Sequence, residues 1–202
     1  MKALGGLILA AGLSSRMGSY KPLMEVDGKS MIRHVVSMMH RAGAEVIVVV
    51  TGYRREDLEE HLKDADVEFA YNPDFSATQQ LESLKIGLSR LKNRCERIII
   101  SPADVPLVYG ETVQDLLALD GDFIRPLYKG EPGHPVILKN DWVSYVLQYD
   151  GPSGLKGAME SSSCVLQNVD VEDMGVILDN DTKQDLERLM RWHRKTASDQ
   201  YV

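Results

Sequence analysis

Short apolar runs alternate with amphipathic segments along the first hundred residues. Residues 4–10 form a continuous apolar run, as expected for a strand that is buried on both faces of a sheet. Residues 45–50 and 97–101 are similar runs rich in β-branched side chains. Between the first two runs, residues 29–42 carry apolar side chains at helical spacing, and Gly43 follows where a glycine commonly ends a helix. The alternation predicts βαβ units.

The remaining predicted elements continue this alternation in the first half of the chain and are less regular in the second half. Helices are predicted at residues 54–63, 79–91, 140–147, 154–161 and 182–195, and strands at residues 67–70, 122–125, 135–138, 164–168 and 176–178. Strands separated by helices of ten to fifteen residues are typical of an α/β fold with a doubly wound, mostly parallel sheet. Ligands bind such sheets beyond the carboxyl ends of the strands, so the loops after Ala10, Val50 and Ser101 are the places to examine.

Composition narrows the class of protein. The 202 residues carry a formal charge of −7, which argues against a protein that binds nucleic acid through a basic surface. No apolar run approaches the roughly 20 residues that a membrane span requires. Two cysteines are too few for a disulfide framework, so we expect a cytoplasmic protein. We expect one domain over residues 1–195 and a polar tail or linker over residues 196–202.

The segment from Ala10 to Lys21 follows the first predicted strand and could hold an anion. Its small residues let the backbone approach a ligand closely, and Arg16 and Lys21 supply positive charge. It does not match the dinucleotide fingerprint, and Leu23 stands where a Walker A motif needs its first glycine. Composition alone leaves a phosphate site and an ordinary strand–helix turn as equal alternatives.

Two aspartates are candidates for holding a metal ion. Asp104 follows a buried strand, although an aspartate before Pro106 is also typical of a turn. Asp181 precedes the last predicted helix and could instead cap it. Asp179 is the alternative if the register differs by two residues.

The order of these residues is more specific than their composition. The pattern Leu-Ala-Ala-Gly-x-Ser-x-Arg-Met-Gly-x-x-Lys from Leu9 to Lys21 resembles the signature of the MobA-like nucleotidyltransferases, and most of all that of the molybdenum cofactor cytidylyltransferases. Four further segments, residues 101–106, 125–135, 151–158 and 179–186, resemble later motifs of this family. The resemblance therefore extends over nearly the whole chain and implies the Rossmann-like fold of the nucleotide-diphospho-sugar transferases.

The resemblance also implies roles for particular residues. The nucleotide would be bound by Leu9, Ala10, Ala11, Gly12, Ser14, Arg16, Lys21, Ser83 and Asp104, with Lys21, Arg16 and Asp104 taking part in catalysis. Mg²⁺ would be held by Asp104 and Asp181. His134, in a Gly-His-Pro segment, would face the second substrate. The other histidines, His34, His40, His61 and His193, lack metal-ligand spacing and are expected at the surface.

The implied reaction is transfer of CMP from CTP to the phosphate of molybdopterin, with release of pyrophosphate. Ala11 matches the residue found at this position in the cytidylyl branch of the family, whereas the guanylyl branch carries a glycine there. The methyl group of Ala11 would narrow the floor that a purine needs. A molybdenum hydroxylase would be a possible recipient of the product. The alternatives are a guanylyltransferase, a sugar- or polyol-phosphate nucleotidyltransferase, or a non-catalytic accessory protein that binds molybdenum cofactor. Residues 77–80 depart from the family pattern, which leaves the acceptor open.

Overall fold

A mixed β-sheet with helices on both faces organises the described part of the chain. The structure, a computed structural model, describes residues 3–12, 20–77 and 80–178 together with residues 187 and 191. The strands are β1 (Leu4–Ala10), β2 (Glu25–Val26), β3 (Lys29–Ser30), β4 (Val46–Thr51), β5 (Glu68–Tyr71), β6 (Arg97–Pro102), β7 (Phe123–Tyr128), β8 (Glu131–Pro132), β9 (Val136–Lys139) and β10 (Leu166–Asp170). The α-helices are α1 (Met31–Arg41), α2 (Arg55–His61), α3 (Gln80–Leu91), α4 (Gly110–Ala118), α5 (Val143–Gln148) and α6 (Gly154–Glu160). Short 3₁₀ helices lie at Lys21–Leu23, Asn140–Trp142 and Met174–Ile177.

The order of strands in the large sheet is β10-β7-β9-β6-β1-β4-β5, and β8 pairs with β7 outside this path. Strand β1 pairs in parallel with β4 on one side and with β6 on the other. The β4–β5 and β10–β7 pairs are also parallel, whereas β9 runs antiparallel to both of its neighbours. The prediction of a doubly wound, mostly parallel sheet is therefore confirmed.

Alternate side chains of β1 enter two separate hydrophobic layers. Ile8 packs with apolar residues of α1, α2 and α4 on one face, and Leu7 packs with those of α3, α5 and α6 on the other. Both residues are fully buried. A strand covered on both faces needs apolar side chains at every position, which explains why β1 is a continuous apolar run and not an alternating one.

Helix α3 lies against β1 because its glycine permits a close approach. A Cβ atom at Gly87 would lie 2.2 Å from a Leu7 methyl carbon and 2.8 Å from a methyl carbon of Val50. Any side chain at this position would push the helix away from the sheet. The contact fixes the start of α3, and with it Ser83, beside the carboxyl end of β1.

Residues 176–178, predicted as a strand, form no strand in the structure, so this prediction was wrong. Met174–Ile177 is a 3₁₀ helix capped by Asp173, whose carboxylate accepts a hydrogen bond from the Gly175 amide at 2.8 Å. The turn packs on Gly133, where an added Cβ would lie 2.5 Å from the Val176 carbonyl oxygen. The apolar run is buried against other loops and not in the sheet, which its hydrophobicity alone cannot distinguish.

Two predicted surface histidines are partly buried, which corrects that expectation. The His34 ring bonds to the Val26 carbonyl oxygen at 2.8 Å, and His61 Nε2 lies 2.8 Å from Ser30 Oγ. Both rings connect helices to the β2–β3 hairpin. Neither this hairpin nor helix α4 was predicted from the sequence. His40 is exposed, while His193 and most of the predicted helix at residues 182–195 lie outside the described residues.

Candidate active site

The carboxyl ends of β1 and β6 form the floor of a cleft of about 260 Å³, here called the Asp104 cleft. Its walls are contributed by the 3₁₀ helix at Lys21–Leu23, the loop after β5 and the start of α3. The lining residues are Leu9, Ala10, Ala11, Gly12, Lys21, Pro22, Phe75, Gln80, Ser83, Pro102, Ala103 and Asp104. The Ala103 amide donates to the Leu9 carbonyl oxygen at 3.0 Å, which joins the two strand ends. This is the edge of the sheet that the strand pattern predicted as the ligand-binding edge.

Lys21 and Asp104 form an ion pair across this cleft. Lys21 Nζ lies 3.4 Å from Asp104 Oδ2, and the two side chains are 8% and 25% exposed, respectively. The two residues are 83 positions apart in the chain, and the parallel pairing of β1 with β6 brings their segments together. Water screens a charge pair less in such a partly enclosed position than at an open surface, so both charges act strongly on a ligand in the cleft.

A buried hydrogen bond fixes Ser83, which forms part of the wall of the Asp104 cleft. Ser83 is buried at the start of α3, and its hydroxyl oxygen accepts a hydrogen bond from Asn72 Nδ2 at 2.9 Å. Asn72 follows β5, and its side-chain oxygen accepts from the Asp74 amide at 3.0 Å, which forms a tight turn. The turn leads to Phe75, whose partly buried ring lines the cleft.

Ala11, which lines the cleft, is held by contacts with the residues that follow β4. The Tyr53 amide donates to the Ala11 carbonyl oxygen at 3.3 Å. At Gly52 an added Cβ would lie 2.6 Å from that oxygen, 2.7 Å from the Cβ of Phe75 and 2.9 Å from the Cβ of Ala11. Only glycine allows the residue that follows β4 to come this close to Ala11.

A second pocket of about 370 Å³ adjoins the cleft and is here called the His134 pocket. Leu9 and Gln80 line both spaces, so the two lie side by side. The aliphatic wall consists of Leu9, Leu81, Leu84, Ile100, Val136 and Leu155, and the polar residues are Gln80, His134, Ser153 and Lys156. Aliphatic side chains from five elements therefore surround a small number of polar groups, which is the usual composition of a site for a small organic molecule.

His134 lines this pocket and lies close enough to Asp104 to be affected by its charge. Its amide donates to the Val176 carbonyl oxygen at 2.7 Å, while its ring nitrogen Nδ1 is buried and has no hydrogen-bond partner among the described residues. Burial lowers the pKa of His134, and the negative charge of Asp104 opposes that shift. The ring is thus held neutral near a carboxylate, with a polar atom whose burial is unfavourable without a ligand.

The structure brings together most of the residues that the sequence singled out. Leu9, Ala10, Ala11, Gly12, Lys21, Ser83 and Asp104 line the Asp104 cleft, and His134 lines the pocket beside it. Ser14, Arg16, Asp179 and Asp181 lie outside the described residues. The family resemblance places the loop over residues 72–84 at the base or second-substrate pocket, but sequence reasoning did not single out Phe75 within it. It also missed the aliphatic wall of the His134 pocket. Phe75 could have been found from its position in a loop that follows a parallel strand.

Comparison with known proteins identifies the family. A model of the MobA-like NTP transferase domain matches residues 6–168, which is most of the chain. The chain belongs to the MobA-like NTP transferase family. The prediction from the sequence motifs is confirmed, and this MobA-like protein is a nucleotidyltransferase.

Relatives of this MobA-like protein include the molybdenum cofactor cytidylyltransferase of Escherichia coli. The two are 28% identical over 191 residues, which cover 92% of this chain and 94% of the relative. The bifunctional protein GlmU of Francisella tularensis subsp. novicida is 36% identical over 122 residues, but these cover 59% of this chain and only 26% of GlmU. The match to GlmU therefore concerns about a quarter of that protein.

Rv0371c from Mycobacterium tuberculosis shares the fold of this MobA-like protein. Its crystal structure superposes with a TM-score of 0.81 at 21% identity and covers 94% of this chain and 98% of Rv0371c. A structure of Rv0371c in complex with manganese gives a TM-score of 0.77 at 20% identity, over 94% and 98% of the two chains. Among the described residues of this MobA-like protein, no helix is long and apolar enough to cross a membrane.

Proposed function

We propose that this MobA-like protein transfers CMP from CTP to the phosphate of molybdopterin, with release of pyrophosphate. The observation that carries the proposal is the position of a charged cleft directly beside an aliphatic pocket, with Leu9 and Gln80 lining both. The nucleotide occupies the Asp104 cleft and the acceptor occupies the His134 pocket. An oxygen of the acceptor phosphate then attacks the α-phosphorus, and the bond from that phosphorus to the β-phosphate oxygen breaks. The relationship to the E. coli cytidylyltransferase supports both substrates.

The chain's own contribution to catalysis is positioning and charge. Lys21 is buried at the cleft wall, where its ammonium group stabilises negative charge that develops on the α-phosphate. Backbone amides around Gly12, with Ser14 and Arg16, bind the remaining phosphates. A phosphate monoester is already a nucleophile at neutral pH, so the reaction requires alignment of two bound groups and no covalent intermediate.

The donor set of the cleft fits Mg²⁺. Asp104 presents a partly exposed carboxylate at the end of β6, and Mg²⁺ takes one or two carboxylates together with phosphate oxygens and water. Asp181 is proposed as the second carboxylate. When bound, the metal ion polarises the phosphate oxygens as a Lewis acid. The manganese complex of Rv0371c supports a divalent cation in this fold.

The fixed position of Ala11 supports CTP over GTP. In this proposal the base lies against the methyl group of Ala11, a residue that lines the cleft and whose carbonyl oxygen is bonded to the Tyr53 amide. A pyrimidine ring needs less depth than a purine above this methyl group. The preference therefore follows from steric exclusion and not from a specific hydrogen bond.

The composition of the His134 pocket supports a heterocyclic acceptor. A flat pterin can lie against aliphatic side chains while its polar edge bonds to the ring of His134, which lines the pocket. A sugar phosphate has hydroxyl groups on most of its carbons, and these would remain without partners against Leu81, Leu84 and Val136. A molybdenum hydroxylase is the proposed recipient of the cytidylylated product.

Calorimetric titration with CTP and GTP, each with and without Mg²⁺, tests the nucleotide half of this proposal. We expect CTP to bind roughly tenfold more tightly than GTP in the presence of Mg²⁺, which corresponds to about 1.4 kcal/mol. Ala11→Gly should reduce this ratio by improving GTP binding, because it removes the methyl group from the floor. Ala44→Gly, a matched change in another buried alanine that does not line the cleft, should leave the ratio unchanged.

A preference for GTP would assign the protein to the guanylyl branch, and no binding of either nucleotide would contradict a nucleotidyltransferase site here. The acceptor is tested by pyrophosphate release from CTP with molybdopterin or with sugar and polyol phosphates. We expect pyrophosphate release with molybdopterin and none with the sugar or polyol phosphates. Pyrophosphate release with a sugar or polyol phosphate but not with molybdopterin would refute the proposed acceptor.

A further inference from the structure

Tyr20 links the start of the Leu9–Lys21 sequence motif to its end. Its ring is buried, and its hydroxyl group donates a hydrogen bond to the Ala10 carbonyl oxygen at 3.1 Å. Ala10 is the last residue of β1, and Tyr20 directly precedes Lys21. A single side chain therefore joins the floor of the Asp104 cleft to the segment that carries its cation.

The ring of Tyr20 is held in place by the loop that follows β4. The Tyr53 ring meets it edge to face, with 5.8 Å between the ring centroids, and the Arg54 guanidinium group lies 5.6 Å from the Tyr20 centroid. The Tyr53 amide also bonds to the Ala11 carbonyl oxygen. Tyr20 is thus fixed relative to the same loop that supports Ala11.

Backbone hydrogen bonds of one 3₁₀ turn hold both Tyr20 and Lys21. Tyr20 precedes the 3₁₀ helix, in which the Leu23 amide donates to the Tyr20 carbonyl oxygen at 3.1 Å and the Met24 amide to that of Lys21 at 2.9 Å. A displacement of Tyr20 would therefore move the Lys21 backbone. Burial raises the pKa of Tyr20 well above its usual value, so the hydroxyl group remains a hydrogen-bond donor at neutral pH.

We propose that Tyr20 is a positioning residue for nucleotidyl transfer, which holds the Lys21 ammonium group at a fixed place above the Ala10–Ala11 floor. The inference rests on the proposed nucleotide site. Tyr20 itself does not line the Asp104 cleft, so its effect on the nucleotide passes through Lys21. The alternative is that Tyr20 only fills the core, in which case its hydroxyl group would contribute to stability alone.

A double-mutant cycle on CTP affinity distinguishes these roles. The proteins are the wild type, Tyr20→Phe, Lys21→Met and the double variant, each titrated with CTP in excess Mg²⁺. Tyr20→Phe keeps the ring and its contacts with Tyr53 and Arg54 and removes only the hydroxyl group. We expect it to weaken CTP binding about fivefold when Lys21 is present and less than about twofold when residue 21 is methionine, a coupling typical of groups that act together.

The control is Tyr145→Phe, which removes a hydroxyl group 3.3 Å from Ser161 Oγ, outside both the cleft and the pocket. It should leave CTP affinity unchanged. Thermal unfolding of each variant verifies that the protein is folded, and titration to millimolar CTP keeps weak binding in the Lys21→Met background measurable.

The outcomes separate this inference from the proposed function. Equal weakening by Tyr20→Phe in both backgrounds would show a structural role and overturn the positioning role, while the nucleotide site would stand. A loss of thermal stability in Tyr20→Phe with unchanged CTP affinity would also overturn the positioning role and leave the nucleotide site standing. Failure of the wild type to bind CTP would overturn both the site and the role of Tyr20.

Discussion

The Asp104 cleft and the His134 pocket meet at Leu9 and Gln80, yet they draw their residues from the chain in different ways. The two charged groups of the cleft lie in short stretches that follow β1 and β6, whereas the aliphatic wall of the pocket comes from β1, α3, β6, β9 and α6. Phosphate chemistry requires particular residue types at a fixed spacing, so the cleft has a recognisable motif. An apolar wall can be built from any aliphatic residue that faces inward, so the pocket has none.

The two spaces also differ in how a ligand would interact with them. Charge dominates in the cleft, where Lys21 and Asp104 lie 3.4 Å apart. In the pocket the only buried polar atom that lacks a partner among the described residues is Nδ1 of His134. Changes in the cleft should therefore affect catalysis strongly, and changes in the pocket should affect mainly the binding of the acceptor.

The largest effect is expected from Asp104→Asn, which keeps the shape of the side chain and removes its charge. We expect the rate of CMP transfer to fall by at least about 10²-fold, because the carboxylate no longer holds a divalent cation at the phosphates. Transfer measured as pyrophosphate release provides the test. Asp115→Asn, at an exposed position on α4, is the matched control. Retention of most of the activity by Asp104→Asn would remove Asp104 from the catalytic machinery.

A smaller effect, confined to the acceptor, is expected from His134→Phe. The phenyl ring fills the same space but offers no hydrogen bond, so KM for the acceptor should rise about tenfold, as expected for the loss of about 1.4 kcal/mol. CTP affinity should remain within about twofold of the wild type. The same substitution at exposed His40 should change neither value. An equal loss of CTP affinity in His134→Phe would show that the two spaces do not have separate roles.

The smallest effect is expected in the dependence of stability on pH. Because burial lowers the pKa of His134, the unfolded chain binds a proton at this residue more readily than the folded protein does. The contribution to stability is complete above the ordinary histidine pKa of about 6.5 and is lost as the pH falls below it. Thermal unfolding between pH 7.5 and 5 should therefore show a smaller loss of stability in His134→Phe than in the wild type. Identical pH profiles would show that His134 is not held neutral by the fold.

Much of the fold can be predicted because it depends on local patterns. The β1, β4 and β6 runs and the amphipathic spacing of α1 and α3 identify the βαβ core, since burial on two faces or on one face leaves a distinct periodicity. Met174–Ile177 and α4 were not identified correctly. The first is an apolar turn stabilised by the buried carboxylate of Asp173, and this contact depends on residues that are distant in sequence, Tyr109 and Thr112.

The candidate site was predictable to the extent that it follows strand ends. Lys21 and Asp104 could be placed at one edge because parallel strands carry their following loops to the same side. The roles of Gly52 and Tyr20 could not be predicted. They depend on the close approach of Gly52 to Ala11, where an added Cβ would lie 2.6 Å from the carbonyl oxygen, and on a hydrogen bond across ten residues. Only the folded backbone defines either contact.

The central position of β1 has a consequence for synthesis of the protein on the ribosome. Strand β1 is made first, but its partner β6 begins only at Arg97. At roughly 5–20 residues per second, the apolar β1 segment waits on the order of 5–15 s for that partner. Asp104 follows directly, so the proposed nucleotide site cannot assemble until both sides of the cleft have left the ribosome. Until then, β4 is the one of its two partner strands that is available to pair with this segment.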